Sequence, residues 1–253
     1  MVLLEDVLQK NRSWVLSHPE HTLQEPSLQK VNQMIERRVK REPLAYIRGK
    51  AWFYGRFFEV NPRVLIPRPE SESFINLLKQ IKPRPKIITD IGTGSGALAI
   101  TAKLEFPKTQ VIATDIDSKA LQVAKKNARK HKANIKFINS SLLNWYHFLH
   151  DREKSDTILL ANLPYVPKDL ITSPEITYEP KTALFSGKDG LDHYQKFWGQ
   201  IANMSQKPRW IMVESLTSQH QKQKSFAKKA GYKLIKSEIL VQLFKKNLIF
   251  KSA

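Results

Sequence analysis

No cysteine occurs among the 253 residues, which excludes disulfides, thiolate nucleophiles and cysteine-ligated zinc. The 7 histidines show no His-Glu-x-x-His spacing, so no metal is expected. Acidic residues are scarce: 23 Asp and Glu stand against 42 Lys and Arg, a formal charge of +19. Long apolar runs are missing as well. No stretch approaches the roughly 20 residues of a membrane span, and the opening MVLLEDVLQK has neither the basic start nor the apolar run of a secretory signal. The expectation is a cytoplasmic globular protein, without a membrane partner and monomeric. Internal repeats and low-complexity segments are absent.

The positive surplus attracts RNA or another polyanion through counterion release, which makes ribosome or RNA proximity one reading. Most of these cations are lysine, and runs such as Lys125-Lys126 and Lys228-Lys229 read equally well as solvated faces. No base-reading motif accompanies them. Hydrophobic residues make up 41% of the chain, enough for an ordinary packed core in one large domain or a large and a small one.

Along the chain, Val2 to about Arg41 carries apolar residues at helical spacing and reads as a small helical lobe. AWFYGRFFEV follows as two aromatic-rich half-strands around Gly55, a hairpin. VLIPRPESES is stiffened by prolines, a helix is expected near Ser71 to Leu78, and KPRPK is a linker. From Ile87 onward short β-like runs (KIITDI, QVIATDI, IKFINS, DTILLAN, RWIMVES) alternate with helical ones. That alternation predicts an α/β fold, a mostly parallel sheet with helices on both faces. YKLIKSEIL and FKKNLIFK lack a long crossover helix and are expected to pair antiparallel. Sites in such sheets lie at the carboxyl ends of the strands.

DIGTGSGAL, Asp90 to Leu98, falls at the first strand-to-helix turn, where glycines let the backbone turn tightly and a ligand approach closely. Its spacing is GxGxG over Gly92, Gly94 and Gly96, and Ala97 also satisfies the relaxed dinucleotide form GxGxxA, so spacing alone leaves the cofactor class open. Asp115, ending ATD on the second strand, is placed to bind two ribose hydroxyls. DIGTGSG with ATDID is similar to the motifs of class I methyltransferases. The resemblance implies S-adenosyl-L-methionine as cofactor, held by Asp90, Gly92, Thr93, Gly94, Ser95, Gly96 and Asp115. It also puts Ser141 and Leu142 near the adenine, where the family commonly has an acid in place of Ser141.

ILLANLPYVP, Ile158 to Pro167, sets a carboxamide and an aromatic ring at the end of an apolar strand. NLPY resembles the (N/D)PPY signature of methyltransferases acting on planar nitrogens. An amide nitrogen is a poor nucleophile because its lone pair is delocalised. Asn162 Oδ1 can accept one N–H and the Leu163 carbonyl the other, which aims the lone pair at the methyl carbon; Asn162 also borders the cofactor. Tyr165 can pack on the flat substrate group. The usual proline is Leu163 here, yet Pro164 still biases Leu163 to extended geometry. The plain alternative is a strand end closed by an Asn turn and a stop proline.

Two long segments narrow the resemblance. REPLAYIRGKAWFYGRFFEV with VLIPRPESE is similar to the interdomain hairpin of the HemK/PrmC family, and YEPKTALFSGKDGLDHYQKF, Tyr178 to Phe197, to its segment after NPPY. That family methylates a glutamine of class I peptide chain release factors. The resemblance implies a Rossmann-like seven-stranded methyltransferase sheet spanning 84–253, a helical substrate-docking domain at 1–50 and a β-hairpin with linker at 51–83. It implies transfer to the side-chain amide nitrogen of the glutamine in the GGQ loop, beside Asn162, Leu163, Pro164 and Tyr165. Arg68 borders that site or forms turn surface; Glu179 touches substrate or braces a loop; Glu214 is read as structural. Trp14, Trp52 and the Phe57-Phe58 pair are expected to pack in the core or hairpin. An adenine methyltransferase is the competing function, since an exocyclic amine presents the same two N–H groups, although no base-flipping surface is recognisable.

Overall fold

The computed structural model describes residues 1–170 and 173–247. Three helices build the N-terminal lobe: α1 (Val2–Leu8), α2 (Arg12–Ser17) and α3 (Glu25–Val39). The Asn11 side chain caps α2 by accepting from Trp14 N at 2.9 Å. Trp14 stacks on His18 with centroids 4.3 Å apart. A single further turn, α4 (Leu44–Arg48), leads into the antiparallel hairpin of β1 (Lys50–Phe53) and β2 (Arg56–Glu59). Tyr54 and Gly55 both take positive φ at its tip, the geometry that matches strand twist in a two-residue turn. Strand alternation divides the aromatics. Phe53 and Phe58 enter the core, whereas Trp52 and Phe57 stay on the outer face, 55% and 38% exposed, and pack edge-to-face at 4.7 Å. The outer pair is hairpin packing rather than core.

A 3₁₀ turn at Pro69–Glu72 and α5 (Ser73–Gln80) occupy the stretch expected to be one helix. The alternation after Ile87 resolves into β3 (Ile87–Ile91), α6 (Ala97–Glu105), β4 (Gln110–Asp115), α7 (Ser118–Lys130) and β5 (Lys136–Asn139). Then come α8 (Asp151–Ser155), β6 (Thr157–Ala161), α9 (Lys181–Leu184), α10 (Asp192–Ala202), β7 (Trp210–Glu214), α11 (His220–Lys229), β8 (Tyr232–Glu238) and β9 (Val241–Lys246). The short α8 and α9 have too few residues to show a helical period. The expected strand FKKNLIFK pairs from Val241 instead, and its residues 248–251 lie outside the described ones.

The sheet has seven strands in the order β5-β4-β3-β6-β7-β9-β8, parallel from β5 to β7, with β9 antiparallel to both β7 and β8. Both faces are covered. Ile158 and Leu160 point into one apolar layer with residues of α5 and α6, while Leu159 and Ala161 point into the other with α10 and α11. Chain order runs outward from β3 to β5 and then returns to β6 on the other side, which opens a crevice between the carboxyl ends of β3 and β6.

The lobe and hairpin are tied down beside that crevice. Asp6 pairs with Arg48 and Lys50 at 2.5 and 2.6 Å, and Tyr178 donates to the Lys40 carbonyl at 2.6 Å. Asn127 of α7 accepts from Glu59 N at 2.8 Å and donates to the Ser95 carbonyl at 2.9 Å, joining the hairpin to the glycine loop.

Candidate active site

The glycine loop leaves β3 and is pinned at both ends. Gly92 N and Thr93 N both donate to the Thr114 carbonyl at 2.9 Å. Asp90 Oδ2 accepts from the Thr93 hydroxyl at 2.6 Å and from Ala99 N, in the first turn of α6, at 3.2 Å. Burial, offset in part by those two donors, raises the Asp90 carboxyl to about 7. Asp90 therefore fastens the loop and faces it more than the cavity. Asp115 ends β4 with Oδ2 accepting from Gly94 N and Oδ1 from Asp117 N, both at 2.9 Å. Its pKa is raised, chiefly by burial.

Between these strand ends lies a cavity of about 330 Å³, bounded by Gly92, Gly94, Asp115, Leu142, Asn162 and Leu163 among others. Ser141 is exposed at its rim. An added Cβ on Gly94 would meet no atom within 4 Å, so the loop backbone borders open space there. A carboxylate fit for hydroxyls, a bare backbone loop and apolar walls from Val64, Leu65 and Leu142 are the donor set that a nucleoside cofactor requires. The residues fit S-adenosylmethionine.

Two smaller recesses adjoin the first. One of about 60 Å³ is bordered by Phe53, Ser71, Asp90 and the loop; one of about 220 Å³ by Tyr165, Val166, Leu170, Ile176 and Glu214. Asn162, Leu65 and no other described residue border all three. Asn162 Nδ2 donates to Ser71 Oγ at 3.0 Å, which leaves Oδ1 without a protein donor among the described residues. No described group donates to the Leu163 carbonyl, while Leu163 N donates to the Tyr194 hydroxyl at 3.3 Å. The arrangement thus presents two adjacent unused acceptors.

Arg68 borders both small recesses and pairs with Glu179. Glu179 also accepts from Ile66 N at 3.1 Å, with its side chain 3% exposed. Each of its oxygens meets a group of the IPRPESE segment, so Glu179 braces that loop. Tyr165 donates to Glu214 Oε1 at 2.9 Å, and burial with the nearby Glu214 pushes its hydroxyl far above the ordinary range.

Ser71, Tyr194 and Gln219 are site residues that periodicity does not single out. The Tyr194 hydroxyl lies 2.8 Å from the Ala161 carbonyl and 2.5 Å from that of Glu214, clamping β6 to β7. Gln219 donates to the carbonyls of Tyr165 and Asp189 at 2.8 Å each. Ser71 and Tyr194 do fall in the segments RPESE and DHYQKF, and those segments are the signal that points to them.

Residues 1–49 match the family model described as the PrmC N-terminal domain, and residues 71–171 match the methyltransferase small domain. A release factor glutamine methyltransferase of Staphylococcus aureus is 37% identical over 216 residues, covering 84% of this chain and 76% of that protein. The chain belongs to the release factor glutamine methyltransferase family. A further member, from Aliivibrio fischeri, is 32% identical over 241 residues, 94% of this chain and 84% of the relative. Among solved structures, a methyltransferase from Pyrococcus furiosus superposes with a TM-score of 0.54 at 15% identity, covering 88% of this chain and 100% of the other. The hMettl16 catalytic domain in complex with an RNA hairpin gives 0.58 at 13% identity, covering 87% and 79%. At that identity the likeness shows the shared fold of these methyltransferases and of the family to which this chain belongs.

Proposed function

We propose that this chain transfers the methyl group of S-adenosylmethionine to the side-chain amide nitrogen (N5) of the glutamine in the GGQ motif of a class I peptide chain release factor. The observation that carries the reading is the pair of free acceptors, Asn162 Oδ1 and the Leu163 carbonyl, at the junction of the three recesses. A primary amide has two N–H groups, and two fixed acceptors hold both.

Asp115, Gly92 to Gly96, Ser141 and Leu142 would hold the cofactor, with Asp90 keeping the loop in shape. When bound, S-adenosylmethionine supplies a methyl carbon on a positively charged sulfur. The chain's contribution is orientation: Asn162 and Leu163 hold both N–H groups so that the face of the nitrogen that carries its lone pair turns to the methyl carbon, and Tyr165 backs the flat group. As the N–C bond forms and the C–S bond breaks, the nitrogen acquires positive charge and gives up one proton, so no strong base is needed. Arg68, anchored by Glu179, borders the entrance.

In this reading, residues 1–50 dock the release factor, 51–83 connect, and 84–253 carry the transfer. The enzyme works as a cytoplasmic monomer near the RNA-rich translation apparatus that its charge favours. An adenine amine would offer the same two N–H groups, and the +19 charge gives that alternative its one support.

Labelled methyl transfer into purified release factor, compared with RNA and DNA, tests the proposal. Label in the release factor, lost in Asn162→Ala while cofactor binding persists by calorimetry, is the expected result. Label only in nucleic acid overturns it.

A further inference from the structure

An asparagine amide has two nearly isosteric ends. Rotated by half a turn, Asn162 would point N–H groups at the substrate's own N–H groups, and the lone pair would no longer be held. Something behind Asn162 must distinguish its two ends. Ser71 alone cannot, because a hydroxyl both donates and accepts and would satisfy either rotamer.

Glu214 supplies the missing polarity. It ends β7, is 1% exposed, and accepts from Tyr165 at 2.9 Å through Oε1. Asn162 follows the Ala161–Val213 pair of β6 and β7 and borders the same recess as Glu214, and Ser71, bonded to Asn162, lies close to the same carboxylate. Oε2 makes no hydrogen bond of ordinary geometry, so both lie more loosely against it than Tyr165 does. An ionised carboxylate accepts only. It draws the Ser71 proton toward itself and leaves Ser71 able only to accept from Asn162 Nδ2, the bond observed at 3.0 Å.

We propose that Glu214 is a positioning residue for methyl transfer, acting through Ser71 to hold the Asn162 amide with Oδ1 toward the substrate. The inference rests on the amide-methylation reading. A buried acid at this strand end is otherwise a liability, since an uncharged side chain of the same shape would be cheaper to bury.

Glu214→Gln keeps the shape but lets the new amide donate to Ser71, which can then donate to a flipped Asn162. The expected result is a fall in kcat of about tenfold or more, with cofactor Kd and release-factor KM changed by less than about threefold. Ser71→Ala should fall similarly, and the double variant no further than the worse single one, because both break the same relay. Undiminished kcat in either variant, or additive losses, would overturn the idea. If Glu214→Gln does not fold, Ser71→Ala decides alone.

Wild-type protein assayed in parallel keeps the two readings apart, since failure to label the release factor strikes the substrate assignment. A substrate-free measurement covers that case: the Asn162 side-chain NH₂ in asparagine-labelled, cofactor-bound protein should exchange slowly with water in the wild type and faster in both variants. Equal exchange in all three would overturn the relay.

Discussion

Burial lifts the Asp90 carboxyl from an ordinary 3.8 to about 7, so between those values the folded chain holds a proton that the unfolded chain has released. Stability must then fall as pH rises from about 4 to about 7 and level off above. The interval corresponds to up to ~4 kcal/mol. Both bonds to Asp90 land on Oδ2, so Asp90→Asn can keep them with its single oxygen while carrying no titrating proton. The expected outcome is that the variant gains stability relative to wild type between pH 5 and pH 8, read as diverging urea midpoints; parallel curves would show Asp90 ionised in the fold. Asp115 and Asn162 are legible in the sequence, because each closes an apolar strand in a pattern with a chemical use. Ser71 is marked only by its place in RPESE, since its bond to Asn162 joins residues 91 positions apart. Glu214 shows in the sequence only as the acid that ends a strand, and its neighbours Tyr165 and Ser71 come together with it only in the fold. Of the two roles that the sequence allows Glu179, the bracing one has its partners in the fold, Ile66 and Arg68 of the IPRPESE segment.

The segment from α9 to α10 shows why a long motif of no obvious chemistry belongs to the site. Val166 N donates to the Leu184 carbonyl at 2.9 Å and Ser186 N to that of Val166 at 3.0 Å, so this segment runs alongside NLPYV and supports it. Gly190 sits at positive φ directly against it, and a Cβ there would overlap the Tyr165 carbonyl oxygen, which belongs to backbone and cannot swing away. Gly94 is a contrast: positive φ with open space. Gly190→Ala should therefore lower stability by about 2–3 kcal/mol and reduce methyl transfer with it. Gly94→Ala should lower stability by only ~1 kcal/mol and weaken cofactor binding instead. Thermal melts and calorimetry on the two variants check the reversal. Strands and long helices are readable from periods of 2 and 3.6 residues. The single turns α4, α8 and α9 are not, because no period fits within four or five residues.

Charge acts on the molecule as a unit. Many acids are already committed to ion pairs within the fold, such as Asp6 with Arg48 and Lys50 and Glu175 with Arg38 and Arg41. The surplus cations therefore face solvent, and on α7 and the turn after it Lys125, Lys126, Arg129, Lys130 and Lys132 are all exposed, with Glu59 pairing Lys126 and Lys130. At an ionic strength near 0.1 M the field of such a cluster reaches about 10 Å, far enough to collect a polyanion without reading its sequence. A homopolymer RNA should consequently bind and raise the apparent KM for release factor at about 50 mM salt, with the effect gone by about 300 mM. Neutralising Lys125, Arg129 and Lys132 to Gln should flatten the plot of log affinity against log salt, because each lost phosphate contact removes close to one from its slope. These three side chains lie on α7 and its following turn, away from Asn162, so turnover at saturating release factor should stay unchanged. If the homopolymer fails to bind even at low salt, the lysines are a solvated face.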